Sequence, residues 1–289
     1  MPGTHKDMKP DLIIIGSQKC GTSSLHHHLD LHPDISMSAH KELDFFVEEL
    51  NWKKGIQWYE SQFKGIAKLH GESSPSYTMY PNFSGVPERM HSYVPNAKLL
   101  YIVRDPIDRI VSHYLHQWYA RRVNETLSSI LSDLSGIKAK HYLNASSYYL
   151  QLSQYLDFYE LSNIYIISLE SLKGSPEETM RGVFRFLEVD DTCVLPQDFT
   201  VFNATKAKFR TNKFGYLLLS KSTPLRQLVS IPRRLLPHEL KRRIRPLLSE
   251  KQGRPAIESH VRELLKSSLR EDINRFRKLT GQEFDQWSI

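Results

Sequence analysis

The chain lacks an apolar run long enough to cross a membrane. No stretch approaches the roughly 18 consecutive apolar residues that a transmembrane helix needs, and the opening MPGTHKDMKP contains no apolar segment of the signal-peptide type. The 289 residues are 40% hydrophobic and 25% charged, which is typical of a folded protein with one sizeable core. We therefore expect a cytoplasmic protein without a transmembrane segment.

Cysteine is also scarce. The chain has only Cys20 and Cys193, too few for a disulfide framework. The sequence contains no internal repeat and no low-complexity tract. These absences exclude a disulfide-stapled module and a repeat protein, and they favour a single globular domain over 1–289.

Positive charge is abundant but unevenly distributed. The net charge is +7, yet residues 206–254 alone contain 14 Lys or Arg against two acidic residues, so the remainder of the chain is mildly acidic. A basic segment on an acidic body is typical of contact with an anionic ligand, an acidic partner or a membrane surface. A solvated helical face would explain the same pattern.

Apolar runs bounded by turn residues predict three buried strands and a weaker fourth. The strong runs are LIIIG (12–16), AKLLYIVRD (97–105) and NIYIISLESL (163–172), and the weaker one is KLHGES (68–73). Helical patterns lie between and after them, at 23–35, 106–123, 146–161 and 176–189. This alternation predicts an α/β fold with a central parallel sheet flanked by helices.

The pattern becomes mostly helical from about Phe209 onward. A late stretch, 254–281, has an apolar stripe at helical spacing, and Gly281 suits its C-cap. The stripe consists of Ile257, Val261, Leu264, Leu265 and Ile273. We expect this helix to pack on an α/β core formed by 11–205, within a basic, mostly helical C-terminal extension over 206–289.

The first strand runs into a loop, GSQKCGTSSL, that resembles a phosphate-binding P-loop with its lysine displaced. A nucleotide-triphosphate loop reads GxxxxGK[ST]. Gly16 and Gly21 keep that spacing, but Thr22 stands where the lysine is expected, and Lys19 lies inside the loop. The loop and the first helical amides still predict an anion site.

The second strong strand ends in RDPIDRIVSHY, at a position where α/β sheets bind ligands. Arg104 and Ser112 there offer a guanidinium fork and a hydroxyl to a second phosphate. Alternatively, Arg104 pairs only with Asp105 or Asp108.

Seven motifs in order carry a resemblance to a known family. The chain resembles the sulfotransferases that use 3′-phosphoadenosine 5′-phosphosulfate (PAPS), above all the heparan sulfate N- and 3-O-sulfotransferases and their bacterial relatives. The similarity extends from about Asp11 to Trp287. The motifs are GSQKCGTSSL, LHPDI, KELDFF, GIQWYESQF, GESSPSY, RDPIDRIVSHY and NATKAKF.

The resemblance implies a P-loop-like phosphosulfate-binding loop and a donor site that needs no metal. Lys19 would stabilise the leaving phosphate, where negative charge develops, and the product would be adenosine 3′,5′-bisphosphate. Arg104 and Ser112 would bind the 3′-phosphate. The other donor-binding residues implied are Gly21, Thr22, Ser23, Ser24, Tyr148 (or Tyr149 in the alternative register), Thr205, Lys206 and Arg210.

The resemblance also implies a catalytic base. Glu42 in HKELDFF matches the family's base, which takes the acceptor's proton as it attacks sulfur. His40 and Asp44 are nearby competitors that do not match the base position.

The acceptor side departs from the heparan enzymes. In GESSPSY, Ser73 replaces the lysine that those enzymes carry after the glutamate, so we expect a bacterial-type enzyme with a different acceptor. Glu72, Ser73, Trp118 and Arg121 are candidate contacts for that acceptor. The acceptor is predicted to be a saccharide or another small molecule with a hydroxyl or amine, and the basic segment favours an anionic one.

Two other functions compete with sulfuryl transfer. One is an ATP- or GTP-dependent P-loop kinase or switch, against which the displaced lysine argues. The other is a non-catalytic nucleotide-binding relative. Nucleic-acid binding is not expected, because the basic segment lacks a reading motif with interleaved aromatic residues.

Overall fold

The strands form one parallel sheet at the centre of the molecule. The structure, a computed structural model, describes residues 8–193, 210–211, 249–250 and 257–289. The sheet has five strands in the order β2-β3-β1-β4-β5, and all its pairs are parallel. The strands are β1 (Leu12–Gly16), β2 (Ile35–Met37), β3 (Leu69–Ser73), β4 (Lys98–Val103) and β5 (Ile164–Ser168). The predicted α/β class is confirmed.

Helices follow the strands and cover both faces of the sheet. The helices of the described ranges are α1 (Thr22–Asp30), α2 (Ile56–Glu60), α3 (Val86–Tyr93), α4 (Pro106–Tyr119), α5 (Leu127–Leu131), α6 (Ile137–Asn144), α7 (Tyr148–Leu156), α8 (Leu169–Gly174), α9 (Pro176–Leu187) and α10 (Ser259–Thr280). A short antiparallel pair, β6 (Arg210–Thr211) with β7 (Ser249–Glu250), lies apart from the main sheet, and β6 lies beside α4.

Alternate residues of β1 enter opposite halves of the core. Ile13 and Ile15 pack with the apolar residues of α4, α7 and α10, whereas Leu12 and Ile14 pack with those of α1 and α9. Every residue of β1 is buried, as expected for a parallel strand covered on both faces. The continuous apolar run LIIIG therefore identifies the central strand.

Two strand predictions differ from the structure. The short β2 was not predicted, because its three residues are too few to show a pattern. The run 163–172 is a strand only as far as Ser168. There the Ser168 hydroxyl accepts from the Ser171 amide at 2.9 Å and caps α8, so the chain turns into a helix.

The long helix α10 packs on the core as predicted and ends at Gly281, whose φ of +66° suits a C-cap. Its buried stripe consists of Val261, Leu265, Leu269, Ile273 and Phe276. Leu264, predicted to belong to the stripe, is instead 46% exposed, because one residue corresponds to about 100° of rotation around a helix. No helix within the described ranges is long and apolar enough to cross a membrane.

An aspartate of α10 anchors the start of α7, which has no side-chain cap of its own. Asp272 accepts from the amides of Tyr149 at 3.0 Å and Leu150 at 2.8 Å. A carboxylate at a helix N-terminus satisfies free amides and complements the helix dipole. Asp272 therefore links the late helix to the helix that supports the candidate site.

We predict that Asp272→Ala lowers the free energy of unfolding by about 2 kcal/mol, because two amides lose a charged acceptor. The measurement is urea denaturation. Glu271→Ala is the matched control: Glu271 forms only an exposed pair with Arg275, and its removal should cost less than about 0.5 kcal/mol. Equal losses for the two variants would contradict the anchoring role.

Candidate functional site

The carboxyl ends of β1, β3 and β4 meet at one edge of the sheet. β1 lies between β3 and β4 in the strand order, and the chain continues from β1 toward the β2 side but from β4 toward the β5 side. Such a change of direction opens a crevice at the strand ends, where ligands bind in open α/β sheets. The predicted loop, Glu42 and Arg104 all belong to segments at this edge.

The loop after β1 requires glycine at both ends. Gly16 has φ +154°, and a Cβ there would lie 1.9 Å from Thr78 Oγ1. Gly21 has φ +100°, and its Cβ would lie 2.7 Å from Leu169 Cδ1. Between them Lys19 has φ +73° and is partly exposed. The glycine spacing seen in the sequence therefore reflects close packing against neighbouring elements.

The start of α1 offers amides to an anion. The amides of Ser24 and Leu25 donate to the Gly21 carbonyl at 2.9 and 3.1 Å. No backbone carbonyl of the described residues accepts from the Thr22 or Ser23 amide, and α1 has no side-chain cap. Ser23 is partly exposed, while Thr22 is 5% exposed and Ser24 is fully buried. Free amides at a helix N-terminus beside a lysine fit a phosphate or sulfate group.

Arg104 connects the end of β4 to this loop. Its Nη1 donates to the Lys19 carbonyl at 3.4 Å, and its Nη2 lies 3.1 Å from Asp108 Oδ2. Of the two predicted acidic partners, the structure thus shows Asp108. Asp105 instead caps α4 by accepting from the Asp108 amide. Ser112 follows Asp108 by one turn on the same face of α4, and Asp108 is paired with Arg104.

The predicted donor residue Tyr148 lies behind Arg104. Its side chain is fully buried, and its hydroxyl donates to the Arg104 carbonyl at 2.7 Å. The same oxygen lies 3.7 Å from Cys20 Sγ. Burial raises the pKa of both Tyr148 and Cys20, so both groups are neutral. In this arrangement Tyr148 supports the backbone of Arg104 and has no surface exposed to a ligand.

A buried arginine that the sequence analysis missed lies in the same region. Arg109 is fully buried and donates to Ser146 Oγ at 3.0 Å and to the Tyr142 carbonyl at 3.4 Å, and its Nη2 lies 3.2 Å from His113 Nδ1. None of these partners is an acid. Burial lowers the pKa of Arg109, but a guanidinium stays protonated. A fixed positive charge therefore lies behind the loop.

The loop after β2 presents the predicted base. Glu42 has φ +65°, its amide donates to the Ser73 carbonyl at 2.9 Å, and its side chain is 58% exposed. Lys41 Nζ lies 2.8 Å from Glu42 Oε1. The competitor His40 is exposed. Asp44 is partly buried and accepts from the Ser76 hydroxyl at 2.5 Å, and burial raises its pKa. Of the two carboxylates, Glu42 is the more open to an acceptor.

Three of the four predicted acceptor contacts are not accessible in the structure. Glu72 and Ser73 are fully buried and Trp118 is 7% exposed, because Ser73 belongs to an inner strand and Trp118 faces the core from α4. Arg121 is partly buried at φ +57°, just after α4. Of the late donor residues, Thr205 and Lys206 lie outside the described residues, and only the backbone of Arg210, in β6, is described.

Glu72 is the most unusual buried group at this edge. It accepts from the hydroxyls of Tyr59 at 2.8 Å, Tyr77 at 2.7 Å and Ser74 at 2.6 Å. Burial raises its pKa to about 7 against the opposing effect of these three donors. The weak strand predicted at KLHGES (68–73) is β3, but its sequence gave no sign of the three hydroxyls that surround Glu72.

The fold and the loop define the class: an α/β protein with a P-loop-like glycine loop at the end of its central strand. The family model for the sulfotransferase domain matches residues 9–226. The chain belongs to this sulfotransferase family, and the resemblance predicted from the sequence is confirmed.

Relatives and solved structures agree with this assignment. The chain is 30% identical over 206 residues to heparan sulfate glucosamine 3-O-sulfotransferase 5 of Mus musculus, covering 68% of this chain and 58% of that protein. It is 28% identical over 204 residues to bifunctional heparan sulfate N-deacetylase/N-sulfotransferase 1 of Caenorhabditis briggsae, covering 64% of this chain and 23% of that protein. The chain thus spans about a quarter to just over half of these relatives.

The fold itself matches a crystal structure of a sulfotransferase from Alicyclobacillus acidocaldarius. The TM-score is 0.69 at 22% identity, and the match covers 97% of this chain and 99% of that one. The likeness extends over nearly the whole chain, so the fold of this protein is that of a sulfotransferase.

We predict that Glu72 makes stability fall as the pH rises from 4.5 to 7, the interval between its ordinary pKa and its pKa in the folded protein. In this interval the unfolded chain has lost the proton that the folded protein keeps, so the free energy of unfolding should decrease by about 3 kcal/mol.

Urea denaturation of the wild type and Glu72→Gln at about pH 5 and about pH 8 measures the effect. Because glutamine does not titrate, the wild type should lose stability relative to the variant as the pH rises. If the difference in free energy of unfolding between the wild type and the variant did not change with pH, the raised pKa would be contradicted.

Proposed function

We propose that the protein transfers a sulfuryl group from PAPS to a hydroxyl or amine acceptor, with Glu42 as general base and Lys19 stabilising the leaving phosphate. The observation that carries this proposal is the position of a lysine within an anion-binding loop, at the same sheet edge as an exposed carboxylate. The acceptor oxygen or nitrogen forms the new bond to sulfur, and the bond from sulfur to the bridging phosphate oxygen breaks. The acceptor's proton passes to Glu42, and adenosine 3′,5′-bisphosphate leaves.

The loop suits the phosphosulfate end of the donor. The Thr22 and Ser23 amides provide neutral donors, and Lys19 adds a positive charge where the bridging oxygen becomes negative. A positive charge that interacts mainly with the negative charge developing in the transition state lowers the reaction barrier more than it tightens substrate binding. Lys19 therefore stabilises the leaving phosphate, and the amides at the start of α1 hold the phosphosulfate.

Arg104, just after β4, and Ser112, on α4, suit the 3′-phosphate. The Arg104 side chain is 15% exposed, its Nε is buried with no partner among the described residues, and Ser112 is partly exposed on the same face. A largely buried guanidinium held by Asp108 is already oriented to bind an anion, so little side-chain entropy is lost. Strand β6 lies beside α4, which supports a role for Arg210 in the same region.

A carbohydrate is the favoured acceptor. The relatives' names refer to heparan sulfate and to its glucosamine, and a sugar offers both hydroxyls and amines. The lysine that the heparan enzymes carry after the glutamate is Ser73 here, so Lys41 beside Glu42 is the cation that the described residues place at the base. The acceptor therefore meets positive charge from the loop after β2. A cytoplasmic location stays a prediction.

Kinase or switch activity has less support. The lysine of the nucleotide-triphosphate loop is replaced by Thr22, and the free helix amides and Lys19 suit a phosphosulfate. Binding without turnover, the other alternative, is favoured only by Ser73, which stands where the heparan enzymes carry a lysine.

We predict that Glu42→Gln reduces sulfate transfer from radiolabelled PAPS to a panel of saccharides by at least about a hundredfold, because the proton acceptor is lost. Binding of adenosine 3′,5′-bisphosphate, measured by calorimetry, should stay unchanged. Glu49→Gln removes an exposed carboxylate from the same loop and serves as the control with full activity. Full activity of Glu42→Gln would show that another group is the base.

We predict that Arg104→Ala weakens binding of adenosine 3′,5′-bisphosphate by about 10- to 100-fold, because one charged hydrogen-bonding partner of the phosphate is lost. Adenosine 5′-monophosphate, which lacks the 3′-phosphate, is the matched ligand and should lose much less affinity. Equal losses for the two nucleotides, measured by calorimetry, would place Arg104 elsewhere in the site.

A further inference from the structure

We propose that Glu72 is a positioning residue, which holds the loop of the catalytic base in place through the hydroxyls of Ser74 and Tyr77. This role rests on the proposed function of Glu42. Glu72 itself has no exposed surface and does not touch the acceptor.

Successive amides of the Glu42 loop are bound to the segment that follows β3. The Glu42 amide donates to the Ser73 carbonyl at 2.9 Å. The Asp44 amide donates to Ser74 Oγ at 2.9 Å, and the Phe45 amide donates to the Tyr77 hydroxyl oxygen at 3.0 Å. The Phe46 amide also approaches the Tyr77 oxygen, at 3.4 Å, and the Ser76 hydroxyl donates to Asp44 Oδ1. The base loop is thus attached to this segment by several hydrogen bonds, and the hydroxyls of Ser74 and Tyr77 accept those from its amides.

Glu72 determines the direction of both hydroxyl groups. A hydroxyl has one hydrogen, and a backbone amide only donates. The oxygens of Ser74 and Tyr77 must therefore accept from the loop, and their own hydrogens need an acceptor elsewhere. The ionised carboxylate of Glu72 supplies that acceptor, at 2.6 Å from Ser74 and 2.7 Å from Tyr77. Since an ionised carboxylate only accepts, it keeps both hydroxyls in the direction that the loop requires.

The loop has particular need of this support. Glu42 and Asp44 have φ values of +65° and +47°, a region that costs a non-glycine residue about 1–2 kcal/mol. The Glu42 side chain is 58% exposed, so little packing fixes it and its position depends on the backbone. A general base must lie within about 3 Å of the proton it removes.

Glu72 contributes in a way that stability alone does not explain. Its hydrogen-bond donors within the described residues are all hydroxyls, with no Lys, Arg or His among them. Burial raises its pKa, so its ionised form destabilises the folded state. A buried charge that lowers stability is typical of a functional region. Here the ionised carboxylate restricts the hydrogen bonds between the Glu42 loop and the hydroxyls of Ser74 and Tyr77 to a single arrangement.

The chain contains a matched control for this role. Tyr59 and Tyr77 both donate to Glu72 Oε1, at 2.8 and 2.7 Å, and both rings are buried. The Tyr77 oxygen also accepts from the Glu42 loop, whereas no amide of the described residues donates to Tyr59. Each Tyr→Phe change removes one hydroxyl from the same carboxylate, but only Tyr77→Phe releases the loop.

The test compares Tyr77→Phe, Ser74→Ala and Tyr59→Phe at about pH 8, where Glu72 is ionised. The rate constant kcat for sulfate transfer should fall about 10- to 100-fold in the first two variants, since a small misplacement of a reacting group has effects of this size. In Tyr59→Phe it should fall by less than about threefold. The Kd for adenosine 3′,5′-bisphosphate should stay within about twofold of the wild type in all three.

Urea denaturation of each variant separates positioning from stability. Ser74→Ala serves as the second variant if Tyr77→Phe does not fold. A similar kcat loss in Tyr59→Phe and in the loop-releasing variants would overturn the positioning role, and so would full activity of the latter. If the wild type transfers no sulfate, the proposed function fails and the role of Glu72 fails with it. If the wild type is active and Glu42→Gln is not, the comparison of the two tyrosine variants tests the positioning role separately from the proposed function.

Discussion

The pairing of β1 with β3 on one side and β4 on the other is the constraint on which the site depends. Because the three strands are parallel, their carboxyl ends bring the anion loop, the segment after β3 and the start of α4 together. A register shift of one residue would turn each strand's side chains to the opposite face. The specific packing of Ile13 and Ile15 on one face and of Leu12 and Ile14 on the other opposes such a shift. The apolar core therefore fixes the geometry of the polar groups at the strand ends.

The side chains that support the site mostly hydrogen-bond to backbone groups and do not form ion pairs. Tyr148 bonds the backbone of Arg104, Ser74 and Tyr77 bond the backbone of the Glu42 loop, and Asp272 bonds the start of α7. Each fixes a backbone position at or near the site. Such bonds are directional and are less screened than exposed ion pairs. The Glu42 side chain thereby remains accessible to a substrate while the backbone of its loop is held, and the Lys19 carbonyl accepts from Arg104.

The sequence was sufficient for the central strands, the glycine loop after β1 and the family, because each depends on a local pattern. LIIIG followed by Gly16 and Gly21 is such a pattern, and the structure explains it by burial and by close contacts at the glycines. The burial of Glu72 has no local signal. Tyr59 reaches it from α2, and Tyr77 comes from a turn after β3, so their convergence depends on tertiary packing. The weak strand predicted at KLHGES (68–73) therefore matches β3 without revealing that Glu72 is enclosed by hydroxyls. Trp118 was misjudged for a different reason. It continues the apolar stripe of α4 formed by Ile107, Val111 and Tyr114, and this helical spacing already indicated the core-facing side.

Arg109 and Glu72 are fully buried groups of opposite charge, and they lie in different parts of the site. Arg109 lies with Arg104 and Cys20 near the start of α4, and Glu72 lies beneath the Glu42 loop next to β3. Neither has an oppositely charged partner in hydrogen-bond contact within the described residues, so neither charge is cancelled locally. Under the proposed function, negative charge develops at the donor phosphate, on the Arg109 side, while a proton moves toward the Glu42 side. A positive charge on the Arg109 side favours the first movement, and a negative charge on the Glu72 side favours the second. A counter-ion beside either group would weaken that effect, which gives a physical reason for leaving both groups without one.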